Sequence, residues 1–568
     1  MSEAEAQKRA GKRLLLLSLM VLLLASFIAS LIQNSGGRVS VQDIKIPTHN
    51  GQWVVADLYK PRSASSDNPA PLVVVIPGFQ RSKEALANIS IELSRRGIVV
   101  ILIDPYAQGF SSASMSRIAA TTEGYGMFAV VDYAAGTPNL NYIDKDRIGA
   151  TGHSAGGNAA IRGANYFGRE AIETGEPSKL HSVFVSGYVL TLREDVLKDV
   201  RSNVGVSYAF YDEGAYRNEL KNGDMRTAPE ALRAVNSGFS STAEHIEEVE
   251  LGRYYGDRDD RTLRVVHNEM VLHPFQPYIT EATANQIEYF ERVFDLETGL
   301  SSYDQVWYWK ELLGLIALVA ALVAVVPMGR LLLEIPYFRP LVHPLPPALA
   351  RPKGKGKLLF WSMFVIGALI ACFTYIPMAE LSQKLFVAAS TRQQTWFFPQ
   401  RMNNAVMLWA VLNGSVGYLM FWLSYRFFGK RNGITPKFWG AGTNRRELLR
   451  TFMLALALFV FFFLLLFTFF YFLHVDYRFL VMGVRTFQPP LLVLLAMYVP
   501  FFFIFLLSNS LRINGAMRFE GEKQWKSLLL GGFANSLGLM LIVLVQYLTF
   551  ALTGTVYWTD GWLYVNLL

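Results

Sequence analysis

The sequence predicts an α/β domain built on a doubly wound, mostly parallel sheet, joined to an all-α polytopic membrane domain, with seven transmembrane helices in total. Three observations predict it. Between residues 38 and 300, short apolar runs alternate with helical patterns. Seven longer apolar runs, one near the N-terminus and six beyond residue 306, lack Asp, Glu, Lys and Arg through their middles. The charge balance also divides. Residues 1–300 hold 30 Lys and Arg against 36 Asp and Glu, and residues 301–568 hold 23 against 9.

Composition narrows the classes further. Of 568 residues, 52% are hydrophobic and 17% are charged, against about 25% charged in an ordinary soluble domain. This excludes a disordered chain. A single Cys excludes a disulfide framework and a Cys-based zinc or iron–sulfur site. Cys372 lies in an apolar run and reads as a packing residue. The basic residues of the C-terminal half sit between apolar runs. They therefore read as topology signals rather than as a nucleic-acid surface.

In chain order, residues 1–13 form a basic tail carrying Lys8, Arg9, Lys12 and Arg13. Residues 14–33 follow as an anchor, since the charge-free run 14–32 matches the roughly 20 residues that span a bilayer. A cleaved signal peptide is the competing reading. Its apolar region is usually about 7–15 residues, and no clear A-x-A site follows here.

The α/β domain occupies 38–300. Residues 39–47 and 54–61 alternate apolar and polar around Asn50-Gly51, a hairpin signal. Buried parallel strands are expected at 72–76, 98–103, 147–151, 182–186, 204–210 and 263–267. Helices are expected at 83–96, about 123–135, 155–168 and 280–294. In such sheets the reactive groups gather at the carboxyl ends of the strands.

After the strand at 147–151 stands Gly152-His153-Ser154-Ala155-Gly156-Gly157, a G-x-S-x-G motif between strand and helix. Small residues permit a sharp turn that lifts the Ser hydroxyl above the sheet, and the helix N-terminus beneath favours developing negative charge. Other mechanistic motifs are missing, among them H-E-x-x-H, G-x-x-x-x-G-K-[ST] and G-x-G-x-x-G after a strand, so neither a metal nor a cofactor is expected.

With that motif in place, residues 39–298 resemble the α/β-hydrolase superfamily, and within it the dienelactone-hydrolase and serine-aminopeptidase-like group. The resemblance implies Ser154 as nucleophile and a chain order of Ser, then acid, then His. Asp212, after the strand 204–210, is the implied acid. Glu213 and the cluster Asp257, Asp259 and Asp260 are rivals, the cluster reading better as a charged hairpin turn. His273, between the last strand and the closing helix, is the implied base. His267 falls in the strand, His245 in an acidic solvated helix, and His153 at the variable elbow position. Pro77-Gly78-Phe79-Gln80 stands where the family often has His-Gly, and implies backbone oxyanion donors at Phe79 and Ala155. Asp104 to Ser111 resembles the family's D-x-x-G-x-G-x-S turn with Ala107 replacing the first Gly, and reads as structural. Residues 213–262 are either a cap over the site or an ordinary connecting helix.

The six runs beyond 306 lie near 312–329, 358–379, 404–425, 451–474, 489–510 and 527–552. With the N-terminus inside, the inside segments hold 21 Lys and Arg and the short outside loops hold 5, two of them Arg478 and Arg485. Domain 38–300 and the C-terminus are then extracytoplasmic. Trp307, Trp309, Trp396, Trp422 and Trp558 read as interfacial anchors. Asn413, Ser415, Asn535 and Gln546 read as interhelical hydrogen bonders, and Gly531, Gly532 and Gly538 as sites of close helix approach.

Together these readings imply a multi-pass cell-membrane serine hydrolase. Its partners are membrane lipids and a lipid-like or envelope-associated ester at the outer interface, with no nucleic acid. Two alternatives stand beside it. The same Ser, His and Asp could serve a peptidase or aminopeptidase, or the helices could form a lipid-handling or transport unit with a hydrolase-like sensor.

Overall fold

The computed structural model describes residues 3–239, 245–430, 433–435, 439 and 443–565. Helix α1 spans Glu3–Gln33. Strands β1 (Val39–Pro47), β2 (Trp53–Pro61) and β3 (Ala70–Ile76) follow, then α2 (Ala87–Arg95), β4 (Val99–Ile103), α3 (Met127–Gly136), β5 (Ile143–His153) and α4 (Ala155–Thr174). Next come β6 (Ser182–Ser186), β7 (Asn203–Ala209), α5 (Pro229–Asn236), β8 (Arg264–Glu269) and α6 (Thr280–Val293). The long helices α7 (Trp307–Leu332), α8 (Lys355–Leu385), α9 (Arg401–Ser424) and α10 (Arg445–Leu473) follow. A short hairpin of β9 (Tyr477–Phe479) and β10 (Met482–Val484) precedes α11 (Pro490–Leu511) and α12 (Gln524–Thr553).

Every residue of β3, β4 and β7 is buried, as near-continuous apolar runs require of strands covered on both faces. The eight strands lie in the order β1-β2-β4-β3-β5-β6-β7-β8. Strands β1 and β2 pair antiparallel, as do β2 and β4, and every other neighbour is parallel. Because β3 lies between β4 and β5, the winding reverses there and opens a crevice at their carboxyl ends. The core on one face joins Val73 and Val75 of β3, Val100 and Leu102 of β4, Phe184 of β6, Ile89 and Leu93 of α2, and Tyr289 and Phe290 of α6. All eight strands fall where the apolar runs place them. The boundaries differ most at β5, which begins at Ile143, and at α4, which continues to Thr174 where Gly175 stops it at φ 76°.

Seven helices among the described residues are long and apolar enough to cross a membrane, at or around the seven expected runs. Helices α8, α9, α11 and α12 pack on one another. Asn413 donates to Thr374 Oγ1 at 3.3 Å, Gln546 Oε1 accepts from the Trp558 N–H at 3.1 Å, and Asn535 accepts from Arg512. Cys372 is buried in this packing. The glycines differ. A Cβ at Gly538 would lie 2.6 Å from Ala371 Cβ and one at Gly531 3.0 Å from Ile513, whereas one at Gly532 would meet nothing within 4 Å. Gly532 is therefore not a close-approach site. Trp307 also departs from expectation. It is only 4% exposed, and its indole N–H donates to Gln305 Oε1 at 2.8 Å, so it is a core residue. Trp309, Trp396 and Trp422 are exposed.

The chain divides into two compact units. One comprises 1–15, 325–462 and 487–568, and the other comprises 16–324 and 463–486. The unit carrying the eight-stranded sheet thus includes the β9–β10 hairpin, a stretch expected only as a short loop. Close fits join α7 to the sheet layer and the hairpin to α7. Glu92 of α2, fully buried, accepts the Val306 and Trp307 N–H groups at 2.7 and 3.0 Å, capping the start of α7. A Cβ on Gly314 of α7 would lie 2.2 Å from the Arg478 carbonyl oxygen, so only glycine admits the hairpin backbone there.

The contrast between two helical glycines is testable. Gly538→Ile is expected to destabilise the purified protein by about 2 kcal/mol or more through overpacking, while Gly532→Ile leaves its thermal midpoint nearly unchanged. Equal shifts would refute the packing given for α8 against α12.

Candidate active site

Three glycines set the geometry of the elbow. A Cβ on Gly152 would lie 2.4 Å, and one on Gly156 1.9 Å, from the Ile76 carbonyl oxygen, and one on Gly157 would lie 2.7 Å from that of Ser186. Any side chain there would push α4 off the ends of β3 and β6. The turn between β5 and α4 is correspondingly tight. Ser154 adopts φ 58°, ψ −116°, a left-handed conformation costing about 1–3 kcal/mol in a non-glycine residue. Its N–H donates to the Ser186 carbonyl at 2.8 Å, and its own carbonyl accepts from the Asn158 N–H at 3.0 Å. Ala155 is the first residue of α4, so the serine caps a 20-residue helix.

Asp212 follows β7 and His273 follows β8. His273 Nδ1 lies 2.9 Å from Asp212 Oδ2, both side chains being buried. The other carboxylate oxygen accepts the Gly214 N–H at 2.7 Å. Burial pushes the Asp212 carboxyl up, but the His273 charge, together with its own hydrogen bonds, outweighs burial and holds it below the usual carboxylate range. Burial likewise pushes the His273 imidazole down, and Asp212 overrides this to hold it above the ordinary histidine value. The His273 ring packs 4.6 Å from that of His153, beside the elbow. Burial, then the charges of His273 and Arg81, hold His153 well below the ordinary value. His153 therefore stays neutral.

The loop after β3 lies against the same turn. A Cβ on Gly78 would come within 3.2 Å of the His153 carbonyl oxygen and 3.4 Å of Ser154 Cβ. Gly78, the residue before Phe79, thus lies directly against the serine turn that Ala155 follows. Gln108 fixes this loop: its Oε1 accepts the Gln80 N–H at 2.8 Å, and its Nε2 donates to the carbonyls of Gly78 at 3.2 Å and Arg81 at 2.8 Å. Gln80 itself sits at φ 57°.

Of the rival residues, Glu213 stays beside Asp212, and the Asp257 cluster lies in a separate turn. Asp257 accepts from the Asp259 N–H at 2.8 Å and the Asp260 N–H at 3.3 Å, forming the charged turn that the sequence suggested. Glu213 is buried beside Asp212. His267 is buried within β8 and pushed down to about 4 by burial. His245 is exposed in irregular backbone, not in a helix. In the 213–262 connection, α5 buries Ala231, Ala234 and Val235. Arg233 Nε bonds the Leu192 carbonyl at 3.0 Å, as a crossover helix would.

Two features went unread in the sequence. One is Gln108, hidden at a variable position of the Asp104–Ser111 turn. The other is a buried carboxylate, Glu269 at the end of β8, which accepts from Ser207 at 2.8 Å, Gln276 at 2.9 Å and Asn285 at 2.9 Å and steadies the His273 loop. One trio with the reach to hold a cation, Asp43, Asp57 and His474, also comes together. There the Lys83 ammonium already contacts both carboxylates.

A family model described as PET hydrolase-like matches residues 26–229, which include the elbow and Asp212 but end before β8. A bis(hydroxyethyl) terephthalate hydrolase of Streptomyces coelicolor is 30% identical over 108 residues, 19% of this chain. The match spans 32%, about a third, of that relative's length. Among solved structures, an esterase from the hyperthermophilic archaeon Pyrobaculum calidifontis aligns at 16% identity over 52% of this chain and 99% of its own, with TM-score 0.32. Dipeptidyl peptidase 4 of Porphyromonas gingivalis aligns at 15% over 46% and 36%, with TM-score 0.33. The strand order, the elbow and the match over residues 26–229 support an α/β-hydrolase segment.

The Asp212–His273 contact has a pH signature. The raised imidazole adds stability below its unfolded value near 6.5, lost as pH rises through the folded value. The lowered carboxyl adds stability above its unfolded value, lost as pH falls through the folded one. The ionic form therefore contributes most between about pH 4 and 6.5. Asp212→Asn should lower the melting temperature more near pH 5.5 than near pH 9. Equal losses would refute an ionic pair.

Proposed function

We propose that this chain is a membrane-bound serine hydrolase that cleaves carboxylic esters. The observation that carries the reading is the strained Ser154 turn at the carboxyl edge of the sheet whose neighbouring strand ends carry the buried Asp212–His273 pair. In this reading His273 takes the Ser154 proton as the serine oxygen attacks the ester carbonyl, and Asp212 fixes the imidazole tautomer and stabilises its charged form. The oxyanion meets the N–H groups of Phe79 and Ala155, each such donor being worth about 2.7–4 kcal/mol. Protonated His273 gives its proton to the leaving alkoxide, leaving an acyl-Ser154. Water, deprotonated by His273, then releases the acid and restores the hydroxyl. The steps need only water as co-reactant. The similarity to a bis(hydroxyethyl) terephthalate hydrolase of Streptomyces coelicolor supports an ester substrate.

The seven long apolar helices and the alternation of positive charge support a membrane protein with the hydrolase segment and the C-terminus outside. Such a site lies near the bilayer surface and favours lipid-like or envelope-bound esters.

Labelling of intact cells with a fluorophosphonate probe tests chemistry and sidedness together. Ser154→Ala and His273→Ala should each lose the label and about three or more decades of ester turnover. A membrane-impermeant probe should label the unmodified protein. Label retained by Ser154→Ala would refute the nucleophile, and protection from the impermeant probe would refute the topology. Faster cleavage of aminoacyl amides than of esters would replace the esterase reading with a peptidase one.

A further inference from the structure

Arg478 and Arg485 count, by sequence, as two ordinary charges in a short loop. The structure buries Arg478 and leaves Arg485 half-buried, both in the unit that carries the sheet. Asp104, fully buried at the end of β4, accepts the Lys83 N–H at 2.8 Å on one oxygen and the Phe110 N–H at 2.9 Å on the other. Arg485 lays its guanidinium across both oxygens at 3.4 and 3.2 Å and reaches Glu84 Oε1 at 3.1 Å. It also stacks 4.2 Å above the Phe110 ring. Burial pushes the Asp104 carboxyl up, and Arg485 is the strongest charge opposing that. Arg478 pairs with Asp476 at 3.0 Å and lies 3.9 Å from Glu84. His474, on the same segment, lies 3.1 Å from Asp57, which Lys83 also contacts.

The turn that Asp104 organises is the turn that carries Gln108. Ala107 sits at φ 61°, and a Cβ on Gly109 would fall 2.0 Å from the Asp104 carboxylate, so the carboxylate fills the inside of the turn. Gln108 then makes three hydrogen bonds to the Gly78–Arg81 loop beside Ser154. An unbroken chain of contacts therefore runs from Arg485 through Asp104 and the 104–111 turn to Gln108 and the loop bearing Phe79.

We propose that Arg485, from the hairpin between α10 and α11, is a positioning residue for the oxyanion loop of the hydrolase site. The inference rests on the serine-hydrolase reading above. Arg485 touches no reacting atom. It pairs with both Asp104 oxygens and with Glu84, and so fixes the turn from which Gln108 holds residues 78–81. Removing it takes away the guanidinium that bridges the buried Asp104 and the partly buried Glu84, leaving Lys83 as the cation they share, and the turn is expected to open.

The test uses the full chain in detergent with p-nitrophenyl butyrate as a soluble ester, each variant being checked for folding by size exclusion and melting. Arg485→Ala and Gln108→Ala should each lower kcat by roughly tenfold or more with KM changed by less than about twofold, since a small misplacement of a catalytic group is costly while ester binding is not otherwise touched. The double variant should lose little more than the worse single one, because both act through one loop. Arg485→Lys, with one point charge for a two-carboxylate fork, should fall between, at least about threefold below the unmodified enzyme. Unchanged kcat in folded Arg485→Ala would overturn the proposal, as would multiplication of the two single effects. Should Arg485→Ala not fold, unchanged kcat in Arg485→Lys overturns it. If the unmodified protein neither turns over ester nor takes the probe, the hydrolase reading itself has failed. If it does both, and the Arg485 variants match it, only the positioning role has failed.

Discussion

The site depends on the contact of bare backbone between α4 and the ends of β3 and β6. Gly152, Gly156 and Gly157 bring that helix so near the carbonyls of Ile76 and Ser186 that a single added carbon would collide. With the helix that close, the connecting residue has no ordinary conformation available, and Ser154 is driven to positive φ. The strain, of order 1–3 kcal/mol, is sustained by a sheet whose β3, β4 and β7 are wholly buried. The same geometry aims the helix N-terminus at the space above the serine, where negative charge is easiest to hold. Packing, strain and electrostatics here share one cause.

Around that fixed point, buried carboxylates organise the loops. Asp212 orients His273, Glu269 gathers Ser207, Gln276 and Asn285, and Asp104 closes the 104–111 turn. Each is satisfied in a different way. Asp212 has an imidazole and an N–H. Glu269 has only neutral donors among the described residues, and burial keeps its carboxyl above the usual range. Asp104 has a guanidinium. The differences matter because an ionised carboxylate without such partners is costly inside a protein, and breaking a buried pair typically costs about 3–5 kcal/mol. The strand-end loops are thus held by charge and hydrogen bonding, while the strands are held by apolar burial.

Much of this was legible in the chain. The eight strands follow from apolar runs broken by turns, and the elbow from glycine spacing. Asp212 and His273 follow from their places after β7 and β8, once the order Ser, acid, His is supposed. Gln108, Glu269 and Arg485 were not legible. A glutamine in a turn, a glutamate at a strand end and an arginine in a short loop carry no local pattern that separates a buried partner from a solvated side chain. Trp307 shows the same blindness, since its place beside an apolar run is shared by interfacial anchors and by core residues.

What the sequence by itself determined is periodic or punctuated: strand and helix type, the seven apolar stretches, the sharp turn at Ser154. These follow from side-chain size and polarity read over a few neighbours. What only the tertiary structure decided is which distant charges meet. Arg485 lies 381 positions from Asp104, and Gln33 of α1 lies 441 from the His474 carbonyl it bonds. Such pairings are chosen by the three-dimensional path of the backbone, because a desolvated charge is stable only where the fold delivers its partner.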